Sequence, residues 1–212
     1  MGRPSRYGEA EILDGAKQVS AEIGPQKLTI AKVAARAGVP VGSIYHRYAS
    51  RDEILAAVWL DFVEDFQRQF LAELEGREVL KAGLAAVRFA CGWVRGHPRE
   101  ARLLLLHRRE DFASERWPAS DRRRAEKLAA DAGDCLGAYA RRLAGRTGVV
   151  ERNAVRLALV DLPMAGLRRD VEGGQRPSPD MQRLLLKTCA YVLRQAARSR
   201  NQRRKGRSGN GS

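Results

Sequence analysis

The sequence has few of the cysteines and histidines that disulfide-bonded and metal-binding proteins need. Its cysteines, Cys91, Cys135 and Cys189, lie far apart among 212 residues and form no CxxC pair. This spacing argues against a disulfide framework and a zinc site, and it predicts a reducing, cytoplasmic environment. The histidines show no metal-ligand spacing either, so we expect no metal and no cofactor.

Long apolar runs are also missing. No stretch approaches about 18 uncharged apolar residues, so the sequence predicts no transmembrane helix and no membrane partner. Residues 1–7 are basic, but they lead into Glu9 and Glu11 without an apolar segment, and we therefore expect no secretory signal.

Acidic residues are outnumbered, with 25 Asp and Glu against 39 Lys and Arg, which gives a formal net charge of +14. Such a balance favours a polyanionic partner but names no function. The hydrophobic share of 44% suffices for a packed core, and the length suits one large domain or two small ones.

Apolar residues recur at spacings of three and four from Gly8 to Ala197, and no run alternates as a strand would. The pattern predicts an all-α protein. Pro163 should kink the helix that contains it. Residues 199–212 carry nothing apolar to bury, so we expect a basic disordered tail there. The predicted helices cover 9–22, 29–37, 40–48, 51–74, 78–95, 98–108, 121–144, 150–169 and 178–198.

Residues 29–48 have the pattern of a helix-turn-helix. Val33 and Ala34 face inward on a short helix that Thr29 can cap, and Gly38 suits a sharp left-handed turn. Ile44 then anchors a second helix, whose polar face is free to enter a major groove. A plain helical hairpin within a bundle is the alternative reading of the same spacing.

Three segments together resemble the N-terminal domain of the TetR family of bacterial transcriptional regulators. They are TIAKVAARAGV at 29–39, GSIYHRY at 42–48 and SRDEIL at 50–55, and the likeness extends over roughly 7–60. The resemblance implies a helix-turn-helix DNA-binding domain at 1–52 and a helical ligand-binding and dimerisation domain at 53–198. It implies a double-stranded DNA operator, a small apolar or amphipathic effector and a second copy of the chain as partners.

The resemblance also implies roles for single residues. Thr29 and Tyr45 look like the family's phosphate-contacting residues, and Arg51 stands where the family usually has a lysine that holds the DNA backbone. Tyr45 could instead be a packing residue, and His46 and Lys32 plain surface groups. The expected DNA-contacting set is Thr29, Lys32, Val41, Gly42, Ser43, Tyr45, His46, Arg47 and Arg51.

Both ends of the chain are basic. Residues 2–6 could form an arm that reaches into a minor groove, or a solvated terminus. The run from Arg194 to Arg207 holds seven basic residues and no acid, and it could attract DNA or simply solubilise the protein.

Beyond Gly76 no phosphate loop, nucleophile motif or catalytic carboxylate pair is apparent, so we expect no enzyme. Phe89 and Trp93 lie four residues apart and share a helix face. In the family such residues line an effector cavity, and an ordinary core is the alternative explanation of the same residues. The candidate ligand-binding residues are Phe62, Phe66, Phe89, Trp93, Leu104, Trp117, Tyr139 and Met164.

The last two predicted helices are amphipathic, with Leu159 and Leu185 on their apolar stripes. In the family this pair forms a four-helix bundle with its two-fold mate, whereas packing within the chain is the alternative. The sequence thus predicts a cytoplasmic, homodimeric TetR-like repressor that an effector releases from a palindromic operator. A DNA-binding activator or architectural protein without effector control, or an all-α interaction module, remains the alternative.

Overall fold

The structure is a computed structural model that describes residues 8–145 and 148–207, with side chains as far as residue 198. Every regular element in these ranges is helical, which confirms the predicted fold class. A 3₁₀ turn, Pro25–Lys27, precedes the second helix, and a π-helical segment, Leu157–Asp161, joins the ninth helix to the tenth. In chain order, helices α1 to α11 span Glu9–Ile23, Ile30–Ala37, Val41–Tyr45, Arg51–Glu73, Val79–Gly96, Pro98–Leu106, Arg109–Phe112, Ala119–Ala144, Val149–Arg156, Leu162–Glu172 and Pro179–Arg207.

The third helix is shorter than the predicted range of 40–48. Its last helical residue is Tyr45, and the amides of Arg47 and Tyr48 both donate to the carbonyl of Ile44, each at 2.9 Å. This tight closing turn lets the chain change direction before α4 begins at Arg51.

The predicted helix at 150–169 is divided into α9, the π-helical segment and α10. The amide of Leu162 donates to the carbonyl of Leu157, five residues earlier, instead of four as in an α-helix. Pro163 follows directly, and its ring offers no amide to the preceding turn. A widened turn at this point accommodates the proline within a continuous helical path.

The structure differs from the predicted disorder of residues 199–212, because α11 continues as helix to Arg207. Glutamine, arginine and lysine dominate this stretch, and their helix propensity is high enough to extend a helix that is already formed. Residues 208–212 and the predicted N-terminal arm at 2–6 lie outside the described residues.

The described chain divides into two compact units, and the division falls within α4 and α8. The first unit comprises residues 8–65 and 97–127, and the second comprises residues 66–96 and 128–207 without 146–147. This division is based on packing and does not test the functional domains at 1–52 and 53–198, which stay a prediction.

The first unit is built around α1, which packs against α2 and α6, while α7 packs against the 3₁₀ turn. Its core contains the apolar faces of these helices, with Ile12, Val19, Val33 and Leu103 fully or almost fully buried. The helix-turn-helix therefore shares one hydrophobic core with α6 and α7.

The second unit is built around α11, which packs against α5, α9, α10 and the π-helical segment. Val87 and Leu159 are buried on the partner helices, and Leu185, Cys189 and Leu193 are buried on α11 itself. None of the helices in the described part of the chain combines the length and apolar character that crossing a bilayer requires.

Candidate nucleic-acid interface

The start of α2 is capped by Thr29. Its hydroxyl oxygen accepts a hydrogen bond from the amide of Lys32 at 3.3 Å, which confirms the predicted N-cap. Val33 and Ala34 are buried on the inner face of the helix, whereas Thr29 and Lys32 are exposed. Amides and the helix dipole at such an N-terminus attract anions, so α2 offers a phosphate a place to bind.

The turn between α2 and α3 depends on Gly38, whose backbone is left-handed at φ 67° and ψ 30°. Other residues adopt this conformation at a cost of about 1–2 kcal/mol. The amide of Val39 donates to the carbonyl of Ala34 at 3.0 Å, and the Val39 side chain is buried. The predicted turn is confirmed, and it fixes the direction in which α3 leaves α2.

Helix α3 is anchored to the core on one side and exposed to solvent on the other. Ile44 is fully buried, whereas Val41, Gly42, Tyr45 and His46 are exposed. The side chain of Tyr45 is 56% exposed, so it does not act as a core packing residue. The structure thus brings these expected contact residues to one solvent-facing surface, which we call the α3 face.

Ser43 and Arg47 lie at one side of the α3 face, and both are half-buried. Arg47 Nη1 donates to the backbone carbonyl of Ser43 at 3.1 Å. The two expected base-contacting side chains are therefore neighbours, one helical turn apart.

Tyr48 connects the end of the helix-turn-helix to the start of α1. Its ring is buried, and its hydroxyl donates to a carboxylate oxygen of Glu9 at 3.4 Å. Burial raises the pKa of the Tyr48 phenol, and the Glu9 carboxylate raises it further. The hydroxyl therefore stays protonated and remains a donor.

Arg51 lies at the start of α4, and its guanidinium donates hydrogen bonds to backbone carbonyls. Nε donates to the Leu28 oxygen at 2.7 Å, and Nη2 donates to the oxygens of Pro25 and Gln26, both at 2.9 Å. Nη1 lies 3.8 Å from a carboxylate oxygen of Asp52. These partners belong to the protein itself, whereas the resemblance implied a DNA phosphate.

The sequence analysis missed two side-chain hydrogen bonds that cap the start of α4. Ser50 Oγ accepts a hydrogen bond from the amide of Glu53 at 3.2 Å, and the Glu53 carboxylate accepts one from the amide of Ala49. The Ser-x-x-Glu spacing was the available signal. These two hydrogen bonds fix where the closing turn after α3 ends and α4 begins.

An ion pair joins α2 to α1 on the exposed side of the helix-turn-helix. Arg36 and Glu22 meet through both guanidinium nitrogens and both carboxylate oxygens. The hydrogen bonds raise the pKa of Arg36 and lower the pKa of Glu22. Arg36 is thereby occupied with α1, in agreement with its absence from the expected contact set.

Helices α6 and α7 contact α1 and the 3₁₀ turn inside the first unit. Arg102 Nε donates to the Ala21 carbonyl at 3.2 Å, and Gln26 Nε2 donates to Asp111 Oδ1 at 2.9 Å. These contacts join residues more than eighty positions apart, so no local sequence pattern could have revealed them.

The expected ligand-binding residues divide between the two units. In the second unit, the ring centroid of Phe66 lies 5.7 Å from that of Phe89 and 4.9 Å from that of Trp93. Tyr139 donates its hydroxyl to the Val79 carbonyl at 2.8 Å, and Met164 is half-buried on α10. The predicted Phe89 and Trp93 pair thus belongs to an aromatic cluster with Phe66.

The other candidates belong to the first unit. Phe62 packs on Phe112 with ring centroids 5.8 Å apart, and Trp117 packs on Trp59 at 5.9 Å. Leu104 is half-buried on α6. These contacts are those of an ordinary helical core.

The second unit also contains an open cleft of about 720 Å³ beside α8. Leu74 and Tyr139 form apolar parts of its wall. Its charged residues are of both signs, with Arg141, Arg142 and Arg152 against Glu75 and Asp134. Arg142 Nη1 donates to the Leu74 carbonyl at 2.7 Å. The lining therefore combines apolar surface with charged groups of both signs.

Comparison with known proteins agrees with this geometry. Residues 12–58 match the sequence model of the bacterial regulatory proteins of the tetR family. No curated protein sequence matches the chain. The helix-turn-helix part of the chain is therefore similar in sequence to that of the tetR family of bacterial regulatory proteins.

Solved structures of similar fold extend over nearly the whole chain. The regulator FadR from Bacillus subtilis, in complex with stearoyl-CoA, has a TM-score of 0.65 at 16% identity and covers 91% of this chain and 99% of its own. FadR from Bacillus halodurans has a TM-score of 0.65 at 18% identity, covering 89% and 96%. A TetR-like regulator from Rhodococcus sp. RHA1 has a TM-score of 0.64 at 20% identity, covering 90% and 96%.

Proposed function

We propose that the chain is a transcriptional repressor that binds a palindromic DNA operator as a homodimer and releases it when a small effector binds. The α3 face carries this proposal, because a short helix anchored by buried Ile44 exposes Val41, Tyr45 and His46 to solvent. A helix-turn-helix inserts such a second helix into the major groove. The proposed activity is binding without catalysis, in the cytoplasm.

Within this proposal the contact residues have two kinds of role. Thr29, Lys32 and Tyr45 bind phosphates, which set the position of the protein on the duplex. Ser43 and Arg47 reach base edges, where an arginine can pair with guanine through two hydrogen bonds. Val41, Gly42 and His46 approach the bases or the neighbouring phosphates. Arg51 is considered separately below.

The proposed dimer is supported by apolar side chains that the chain leaves uncovered near its end. On α11, Leu184 is 58% exposed and Tyr191 is 64% exposed. The two lie seven residues apart, about two helical turns, and so share a face. A second copy of the chain would cover them, and two-fold symmetry would supply two recognition helices for a palindrome.

The proposed effector is apolar or amphipathic and binds in the second unit. The Phe66, Phe89 and Trp93 cluster and the cleft with Tyr139 and Arg141 support this, since such linings suit a molecule with an apolar chain and a polar group. The FadR similarity and its stearoyl-CoA complex favour an acyl compound. Release follows if the effector binds more tightly to the state that fits DNA less well.

Fluorescence anisotropy with a labelled random-sequence duplex tests the DNA-binding part. We expect binding that weakens as salt rises, and Tyr45→Phe should weaken it by a similar factor for every sequence. Arg88→Ala, an exposed change on α5, is the matched control and should bind like the unchanged protein. Absence of any DNA binding would contradict the proposal and favour an all-α interaction module.

Thermal shift and duplex release with saturated fatty acids and their CoA esters test the effector part. We expect at least one compound to raise the melting temperature and to weaken DNA binding in the same concentration range. DNA affinity that stays unchanged with every compound would favour a DNA-binding protein without effector control.

A further inference from the structure

Arg51 has a set of contacts that a phosphate-binding side chain would not need. Its guanidinium donates to three backbone carbonyls, those of Pro25, Gln26 and Leu28, at 2.7–2.9 Å. The remaining nitrogen, Nη1, faces Asp52 at 3.8 Å. A DNA phosphate at that edge would approach a carboxylate, which is an unfavourable pairing.

The carbonyls that Arg51 binds belong to the turn that leads into α2. Pro25 is buried, and the amide of Leu28 donates back to the Pro25 carbonyl at 3.2 Å. Leu28 directly precedes Thr29, the N-cap whose hydroxyl binds the amide of Lys32. Fixing this turn therefore fixes the place and direction in which α2 begins.

We propose that Arg51 is a positioning residue, which holds the 25–28 turn against the start of α4 and thereby orients α2 and the α3 face toward DNA, rather than a clamp on a phosphate. This inference rests on the proposed DNA-binding function. It assigns phosphate binding in this part of the interface to the start of α2, at Thr29 and Lys32. The Lys32 ammonium donates to the Lys27 carbonyl at 3.1 Å and has two further donors for a phosphate.

Lysine cannot replace Arg51 in this role. The three carbonyl oxygens are reached by two different nitrogens of one planar group, Nε and Nη2. A lysine ammonium has its donors on a single atom and cannot reproduce the planar fork. As a phosphate clamp, by contrast, lysine would keep most of the binding, because it carries the same charge and is itself a common phosphate ligand.

The test compares Arg51→Lys and Arg51→Ala by anisotropy with a random-sequence duplex over a range of salt concentrations. We expect both variants to lose affinity by similar factors of about tenfold, which corresponds to about 1.4 kcal/mol. The slope of log affinity against log salt should stay that of the unchanged protein. Arg99→Ala, which removes one charge from the same unit, is the control and should retain affinity.

Two results overturn the proposal. One is DNA binding by Arg51→Lys that equals that of the unchanged protein while Arg51→Ala is weak. The other is a salt slope that falls by about one in either variant, since that is the signature of a lost phosphate contact.

A DNA-free measurement separates this proposal from the proposed function. Amide hydrogen exchange in residues 25–33 should become faster in both Arg51 variants and stay unchanged in Arg99→Ala. Far-UV circular dichroism checks that each variant keeps its helices. Unchanged exchange in both Arg51 variants overturns the positioning role, even if the protein binds DNA. Faster exchange in a protein that binds no DNA supports the positioning of the turn and contradicts only the proposed function.

Discussion

Gly83 lies where α5 approaches its neighbours in the second unit so closely that a methyl group does not fit. A Cβ atom at this position would lie 2.9 Å from Tyr139 Cζ and 3.0 Å from Leu193 Cδ1. Tyr139 is held in place by its hydrogen bond to the Val79 carbonyl. We therefore expect Gly83→Ala to lower the free energy of unfolding by about 1–3 kcal/mol, measured by urea denaturation.

Gly133 is the matched control for Gly83, since it lies in the middle of α8 with no atom within 4 Å of a built Cβ. Gly133→Ala should raise the free energy of unfolding by about 0.5–1 kcal/mol through its helix propensity. If both variants were destabilised alike, the close contact at Gly83 would not be the cause.

His107 gives the first unit a pH-dependent stability. Burial lowers the pKa of His107 below 6.5, with Arg102 lowering it further and the Asp111 carboxylate raising it. The unfolded chain therefore binds the proton more readily than the folded chain does. Stability from this group is complete above about pH 6.5 and is lost as the pH falls from there toward the folded-state pKa.

Thermal unfolding at about pH 7.5 and about pH 5.5 measures this effect. We expect the melting temperature of the unchanged protein to fall more between these pH values than that of His107→Gln, which cannot titrate. An equal fall in the two proteins would show that His107 contributes nothing to the pH dependence.

Single residues were predictable from the sequence where their role is local. Thr29 as an N-cap and Gly38 as a left-handed turn follow from the chain immediately around them. The partners of Arg51 lie 23–26 positions away, in a turn whose place depends on tertiary packing. A residue pattern cannot show whether a surface arginine binds carbonyls of its own chain or an external anion.

Among the elements, α3 with its following turn is expected to read the operator sequence through Arg47. A bidentate contact between arginine and guanine is worth roughly 1–3 kcal/mol of discrimination. Arg47→Ala should therefore relax the preference at one symmetric pair of operator positions and affect binding to random duplex less. Competition binding against an operator library measures this, and an equal loss for all sequences would make Arg47 a phosphate contact.

Helix boundaries were predictable where glycine, proline or a cap ends the pattern, as at Gly24-Pro25 after α1. The short α7 was not predicted. Four residues are too few to form a stable helix alone. This one is held by tertiary and local contacts instead, with Phe112 buried and the indole nitrogen of Trp117 donating to the Phe112 carbonyl at 2.9 Å.

At the scale of the whole molecule, the exposed Leu184 and Tyr191 predict a dimer. Sedimentation at micromolar concentration should show twice the 23.5 kDa chain. A double change of Leu184→Glu and Tyr191→Glu should give a monomer, because charges would be buried at the interface. Arg88→Glu on α5 is the control and should remain dimeric. A clean monomer of the unchanged protein would contradict the proposed interface.

The all-α class was predictable from apolar spacing alone, and the similarity of residues 12–58 to the tetR family from three short segments. The sequence could not predict how the expected ligand-binding residues are divided between the two units. Phe66 and Trp93 meet in the second unit, while Phe62, only four positions before Phe66, packs on Phe112 in the first. Spacing along a helix indicates a shared face but not which neighbouring helix covers each residue.

Selection of bound duplexes from a random DNA pool tests the central claim most directly. The proposed function predicts enrichment of a palindrome whose half-sites are separated by about one helical turn, 10–10.5 base pairs, or a multiple of it, and bound by two chains. The Tyr45→Phe protein should enrich the same palindrome with lower yield. Failure to enrich any sequence, or enrichment of a single asymmetric site bound by one chain, would contradict the account.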